Sequence, residues 1–450
     1  MKFSKSSTIL VPPGMVYDWH ARDGAFERLL PPWESVELME SVGPFEDRFV
    51  QLKMKRFGIP IKWLAKHEDV VKGASFTDIQ VKGPFKSWRH QHDFVKLSDT
   101  RTKLVDTIEC RLPFHMVAKL AAGWSLKRDI KSMLDYRHAI TKADLQLLHD
   151  WPLEPQTIAI TGASGMIGQA LTRFLRAAGH TVKHLVRKER PDWSHEICWD
   201  PELGIIDDFS DVSIIVHLAG ESVAAAVRWD QQKKNRIRRS RVRSTQALAT
   251  QLQEKPNQVH TFICASAIGI YPSSQQLMAE DGPVGARFLS EVVADWEAAC
   301  DPIRDSVRVC NARFGTVLHP SGGVIQRLNP LMKAGALGPI GDGRQYMSWV
   351  GLDDALRALF FMMANPAIAG PVNVVSPHPQ PQIDWVREWG RAVRRPTIAP
   401  LPKVVVNSVM GEMGRELLLQ SQRVSPKILI EAGFQFQCPT MTDVCDLYQL

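Results

Sequence analysis

The sequence has no run of about 18 uninterrupted apolar residues, the length a helix needs to cross a bilayer, so no transmembrane helix is expected. Its first residues, MKFSKSSTILVPPG, hold no apolar core long enough for a secretory signal. Cysteine is sparse and irregular. Cys110, Cys198, Cys264, Cys300, Cys310, Cys438 and Cys445 form no C-x-x-C pair, and several lie in apolar runs. An odd set of scattered thiols argues against a disulfide framework and against a thiolate metal site, and it fits a reducing, cytoplasmic setting. Charge of one sign is not in large excess. A net +7 over 450 residues suits anionic ligands without implying nucleic acid. What remains is an ordinary globular composition, 44% hydrophobic and 23% charged, at a length that suggests two or three domains.

The most informative stretch is Thr157 to Arg190, TIAITGASGMIGQALTRFLRAAGHTVKHLVRKER. Ile158 to Ile160 reads as a buried strand. Gly162, Gly165 and Gly168 follow in a G-x-x-G-x-x-G turn. Ile167, Leu171, Phe174, Leu175 and Ala178 then recur at helical spacing, and Gly179 stands where a helix ends on a left-handed residue. Val182 to Val186 closes a strand–turn–helix–strand unit. Such a unit binds a dinucleotide. The first glycine makes the tight turn, the second lets backbone approach a pyrophosphate, and the third packs helix on sheet. Ser164, Met166 and Ile167 complete the loop at the helix N-terminus, where free N–H groups favour phosphate. An acidic residue past the second strand would hold a ribose 2′-OH. Here Arg187, Lys188 and Arg190 stand there instead, and cations of this kind suit a 2′-phosphate, so NADP(H) is expected over NAD(H).

Residues 1–145 have another pattern. A strand at Ser6 to Val11 and short helical stretches from Val16 to Phe26 precede six strand-like segments: Val36–Glu40, Arg48–Met54, Ile61–Lys66, Phe76–Val81, Trp88–Val95 and Lys103–Cys110. Ile130, Leu134 and Ala139, with Trp124 upstream, predict one long amphipathic helix to about Ile140. This order, with GPFKSWRHQHDF (Gly83 to Phe94), resembles the SRPBCC superfamily, the helix-grip fold of START and Bet v 1-like proteins. The resemblance implies an α+β domain whose sheet wraps the helix around a cavity for an apolar ligand, with Phe85, Trp88, Phe94, Leu104, Ile108, Trp124 and Met133 as lining. His90 and His92 share a strand face. With no carboxylate or thiolate partner visible in the sequence, they read as a polar sheet face, and no metal site is expected. Residues 146–156 read as a linker.

Beyond the glycine unit, Ile205-Ile206, Val212 to Leu218, Val259 to Ser266 and Ser306 to Phe314 predict further strands of a doubly wound parallel sheet over 157–375, with a small C-terminal cap at 376–450. Leu218-Ala219-Gly220 ends one strand with small residues that let backbone pass close to a cofactor. Gly162 to Gly168, this strand end, Ser266 to Tyr271 and Ser348 to Asp354 resemble extended short-chain dehydrogenase/reductases, the NAD-dependent epimerase/dehydratase family. Gly220-Glu221 with Arg228-Trp229, Asp295-Trp296-Glu297, Gly341 to Tyr346, Ser425-Pro426-Lys427 and Glu431 to Phe434 resemble one branch with a C-terminal domain of unknown function.

The family's Tyr-x-x-x-Lys pair, in which Lys lowers the phenol pKa for proton transfer, is missing. Aligned on Asp295-Trp296-Glu297, the two positions hold Phe288 and Val292, and no Tyr or Lys lies between Gly282 and Arg308. Glu221, Tyr271 and Ser266 are the remaining candidates for acid, base or orienting work, with Arg344 and Gln345 as substrate contacts. The basic run Arg228 to Arg243 holds eight cations and one acid and reads as a solvated helix face rather than a nucleic-acid surface. The expected function is an NADP(H)-dependent oxidoreductase or epimerase; the alternative is a non-catalytic NADP(H) sensor or scaffold. The expected partners are a small-molecule substrate, an apolar ligand in the N-terminal cavity and, as an open option, a second copy of the chain. Nucleic acid and a membrane span are not expected.

Overall fold

The computed structural model describes residues 1–56, 59–112, 116–187 and 195–450; the side chains of 56 and 116–124 are outside that description. Lys188 and Arg190, and the Trp124 side chain, therefore lie outside the described set. The chain forms two compact units, one built on Met1–Pro152 and the other on Leu153–Leu175 and His180–Asp446.

In the first unit, period-two segments form a seven-stranded antiparallel sheet. Its strands are β1 (Lys2–Ile9), β2 (Val36–Val42), β3 (Phe49–Arg56), β4 (Ile59–Val71), β5 (Ser75–Lys82), β6 (Ser87–Ser98) and β7 (Arg101–Arg111). The spatial order β1-β7-β6-β5-β4-β3-β2 places the first strand beside the last. Helices α1 (Pro13–Ala21) and α2 (Ala25–Arg28) separate β1 from β2, and α3 (Met116–Asp150) follows β7. The helix outruns the expected end near Ile140, and residues 146–150, read as linker, form its last turns. Leu145 and Leu148 continue the buried stripe of Ile130, Leu134 and Ile140, so the apolar period has no reason to stop. Asp144 on that stripe is buried because Arg28 of α2 grips it with two hydrogen bonds, of 2.8 and 3.0 Å.

A cavity of about 1020 Å³ lies in this unit, lined by Phe85, Trp88 and Met133 among others. Phe94, Leu104 and Ile108, expected to line it, are instead closed into the packed interior at 3% exposure or less.

The second unit carries an eight-stranded sheet ordered β11-β10-β9-β8-β12-β13-β15-β19. Its members are β8 (Thr157–Thr161), β9 (Thr181–Val186), β10 (Glu196–Asp200), β11 (Ile205–Ile206), β12 (Ile214–His217), β13 (Thr261–Ala267), β15 (Arg308–Phe314) and β19 (Gly370–Val374). All pairings are parallel except β10 with β11. Three small sheets pair β14 (Ser274–Met278) with β21 (Gln422–Val424), β16 (Thr316–His319) with β18 (Trp349–Gly351), and β17 (Tyr346–Met347) with β20 (Gln380–Pro381). Helices α4 (Met166–Ala178), α5 (Gln231–Glu254) and α6 (Phe288–Ala298) connect the strands. The central strands are continuous apolar runs, such as Ile214, Ile215 and Val216, because both sheet faces are covered. From β8 the sheet grows through β9 on one side and through β12 on the other, so the switch in winding falls at the carboxyl ends of β8 and β12, where ligands of such sheets bind.

Candidate nucleotide-binding site

The glycine turn sits at that switch point. Gly162 has φ +66°, and a Cβ on it would lie 2.8 Å from the Leu218 carbonyl oxygen. A Cβ on Gly168 would stand 2.4 Å from the Gly162 carbonyl oxygen and 2.7 Å from Ala163 Cα. These two glycines are thus required by the backbone itself: one lets β8 turn against the strand end at 218, the other lets α4 close on the turn. Gly165 differs. A Cβ there would meet only the Gly162 carbonyl oxygen, at 3.2 Å, and its open side is where a phosphate would come. The helix then starts at Met166, so the N–H groups of its first turn, including Ile167 and Gly168, have no partner within the helix.

A buried polar chain, which the motif alone did not reveal, fixes this turn to the neighbouring strand end. The amide N–H groups of Leu218 and Ala219 both donate to Thr161 Oγ1, each at 3.0 Å. With those two bonds accepted, the Thr161 hydroxyl proton points to His217 Nδ1, 2.7 Å away. His217 Nε2 then carries the ring proton and donates to Ser244 Oγ at 3.1 Å, and Ser244 donates on to the Ser240 carbonyl at 2.8 Å. Burial lowers the His217 pKa to about 3, so the ring is neutral, as this bond pattern needs. Leu218, Ala219 and Gly220 are held beside the glycine turn by Thr161 and His217, the last residues of β8 and β12.

Arg187 is exposed and follows β9 directly. Leu185, two residues earlier, pairs with Thr161, so the parallel register brings Arg187 level with the glycine turn.

The catalytic candidates occupy two settings. Glu221 follows the 218–220 segment. Its carboxylate takes a 2.5 Å bond from Lys233, with Arg236 Nε at 3.8 Å, and the Lys233 hydrogen bond holds its pKa below the ordinary range. Its backbone is anchored too: the N–H donates to Ser240 Oγ at 2.9 Å, and the carbonyl accepts from Arg241 at 3.0 Å. Tyr271 and Ser266 lie instead in a buried network. The Tyr271 hydroxyl donates to Asn373 Oδ1 at 2.8 Å and accepts from Arg313 at 2.7 Å. Arg313 also grips Glu297 through Nε and Nη2, at 2.8 Å each, and Ser266 donates to Glu297 Oε1 at 2.5 Å. Burial raises the Tyr271 pKa, with Arg313 opposing. Both hydroxyl protons are therefore already donated, and Tyr271 is 1% exposed.

The positions aligned with the missing dyad fall on α6. Phe288 opens that helix and Val292 is buried. The Phe288 ring contacts Trp229 at 5.6 Å between centroids, and Lys234 Nζ stands 4.4 Å above it. Lys234 is in turn paired with Glu412 at 2.9 Å. Sequence reasoning counted Lys233 and Lys234 only as members of a basic run; their acidic partners lie elsewhere in the chain. Of the two substrate candidates, Arg344 is exposed, and Gln345 is buried with Nε2 donating to the carbonyls of Ile340 at 3.0 Å and Leu418 at 3.1 Å.

Residues 158–375 match the model of the NAD dependent epimerase/dehydratase family, and residues 401–446 match a domain of unknown function, DUF1731. An epimerase family protein of Mycobacterium bovis, Mb2239, is 42% identical over 288 residues, 63% of this chain and 94% of that protein. Human epimerase family protein SDR39U1 is 31% identical over 287 residues, 63% of this chain and 96% of that protein. Among solved structures, a nucleoside-diphosphate sugar epimerase from Corynebacterium glutamicum is similar at a TM-score of 0.79 and 30% identity, covering 99% of this chain and 90% of that one. Human SDR39U1 (isoform 2) with NADPH is similar at a TM-score of 0.61 and 30% identity, covering 65% of this chain and 98% of that one.

Proposed function

The chain belongs to the NAD dependent epimerase/dehydratase family, and from that premise we propose that it binds NADP(H) at the 162–168 turn and exchanges hydride with a small-molecule substrate as an oxidoreductase or epimerase. The observation that carries this reading is the turn itself, where Gly162 and Gly168 leave no room for a Cβ and a Cβ on Gly165 would meet only one oxygen, which leaves the space a phosphate would need. Arg187, level with that turn, supports the phosphorylated cofactor, as does the NADPH described with the human relative. In our reading Ser164, Met166, Ile167 and the 218–220 segment complete the nucleotide cradle.

Hydride exchange at a carbinol carbon needs a group that takes or gives the hydroxyl proton. Glu221 is the candidate we assign to taking that proton, because its carboxylate, ionised beside Lys233, is 36% exposed while Tyr271 and Ser266 are held in buried bonds. Tyr271 and Ser266 then stiffen the ends of the strands through Arg313 and Glu297. Arg344, exposed on a glycine loop, would hold an anionic substrate group, and Gln345 fixes that loop. Nucleoside-diphosphate sugars are the first substrate class to screen, on the description of the Corynebacterium neighbour.

Parallel fluorescence titrations with NADPH and NADH test the cofactor claim. We expect NADPH to bind about tenfold or more tighter, a preference of at least about 1.4 kcal/mol, and Arg187→Ala to reduce it. Equal affinity for both, or an unchanged preference in Arg187→Ala, would overturn it.

A further inference from the structure

We propose that the first unit holds a divalent transition-metal site formed by Asp78, His90 and His92 on the cavity face of its sheet. The antiparallel register makes it. Asp78 of β5 and His90 of β6 are direct cross-strand partners, and His92 is two residues on, with its side chain on the same face. One donor atom from each of the three lies within 4.8 Å of the others. His92 Nε2 and Asp78 Oδ2 are hydrogen-bonded at 3.2 Å, a bond that an ion between them would replace. Two donors bound tetrahedrally to one zinc ion at about 2.0–2.1 Å stand about 3.3 Å from each other, so this pair is already at ligand spacing.

His90 supplies an independent pointer. It is 4% exposed and lines the cavity, yet the contact its Nε2 makes with Asp106 Oδ1 is long, at 3.5 Å, and leaves the nitrogen poorly satisfied. A buried ring nitrogen in that state is costly unless something binds there.

The surroundings match what metal ligands need from their neighbours. A ligating imidazole is oriented through its other nitrogen, most often by a carboxylate. His92 Nδ1 is 2.6 Å from Asp106 Oδ1, and the other Asp106 oxygen is 3.0 Å from His138 Nε2. The second Asp78 oxygen is 3.1 Å from His67 Nε2, whose Nδ1 is 2.7 Å from the Phe45 carbonyl oxygen. Asp78 and Asp106 together balance the two charges of the ion. Two imidazoles and one carboxylate, with no thiolate, select an ion of the zinc or ferrous kind. Asp78 and His90 both border the cavity, so the open coordination position faces it and is available to water or to an oxygen of a molecule held there.

The test uses the full chain without an affinity tag, treated with chelator and then titrated with Co²⁺, whose visible absorption reports tetrahedral binding. We expect one equivalent of Co²⁺ to bind, to be displaced by Zn²⁺, and to raise the melting temperature by mass action. Asp78→Asn and His90→Gln should each weaken binding by about tenfold or more, while His149→Gln, exposed on α3, should not. X-ray absorption at the zinc edge of the native loaded chain gives a reading that needs no variant: nitrogen and oxygen ligands including two imidazoles support the site. Sulfur ligation, absence of stoichiometric uptake by the native chain, or unchanged uptake in both site variants would overturn it.

Discussion

Thr161 does more than its place at the end of a strand suggests. Its one hydroxyl satisfies two backbone donors and one imidazole, and so sets the position of the 218–220 segment, which we propose borders the cofactor. Thr161→Val keeps the shape and removes all three bonds. It should cost about 2–3 kcal/mol, the penalty of stranding buried donors, read by urea unfolding, and it should weaken NADPH binding in the same preparation. His217 makes a different prediction. Its folded-state pKa, about 3, lies below the ordinary 6.5 because burial penalises the charged ring. The unfolded chain therefore takes up this proton first. The stability due to a neutral His217 is complete above pH 6.5 and is lost as pH falls from there toward 3, at up to about 1.4 kcal/mol per pH unit. Urea melts between pH 7 and 4.5 should show this slope, and His217→Gln should remove about one proton's worth of it.

At the scale of elements, the glycine turn separates two kinds of requirement. Gly168→Ala drives a Cβ into the Gly162 carbonyl and Ala163, both backbone, so α4 must shift. We expect a loss of about 1–3 kcal/mol, as for other overpacked contacts, measured by thermal or urea unfolding. Gly165→Ala meets a single oxygen at 3.2 Å and should cost clearly less. These elements were legible in the sequence because the signal was local: strand, turn and helix are contiguous, and strands such as β6 and β7 of the first unit carry their own alternation. β10 and β19 were not anticipated. Each is five residues long, and GPVNV opens on Gly and Pro, which mark turns rather than strands. The long helix was read short because the buried positions just past Ile140, Thr141 and Asp144, are polar, and Asp144's partner Arg28 lies far away in the chain. The same limit hid the carboxylate beside His90: Asp78 is opposite it only through strand register.

For the molecule as a whole, pairing across the chain gives the basic run its meaning. α5 is capped by Asp230, and its cations meet acids from many places: Lys233 with Glu221, Arg238 with Asp295 at 2.7 Å, Arg239 with Glu202 at 2.6 Å, and Lys234 with Glu412. Glu412 and Glu416, on the helix Gly411–Leu418, tie the C-terminal region to the nucleotide-binding part of the second unit. Arg287 beside α6 pairs with Glu416 at 2.7 Å, and Glu416 is 8% exposed with its pKa raised by burial. Arg287→Met would strand that carboxylate and should cost about 3 kcal/mol at neutral pH, shrinking at mildly acid pH as Glu416 takes a proton. Among the described residues no helix is long and apolar enough to cross a membrane.

The central claim is that the 162–168 turn binds a nicotinamide dinucleotide. One fluorescence titration tests it most directly: NADPH added to the native chain and to Gly165→Ala, after unfolding melts have shown that both are folded. The account predicts saturable binding to the native chain and its loss in Gly165→Ala, whose methyl group fills the approach of the phosphate while the fold is kept. Equal binding by the two chains, or none by the native chain, would contradict it.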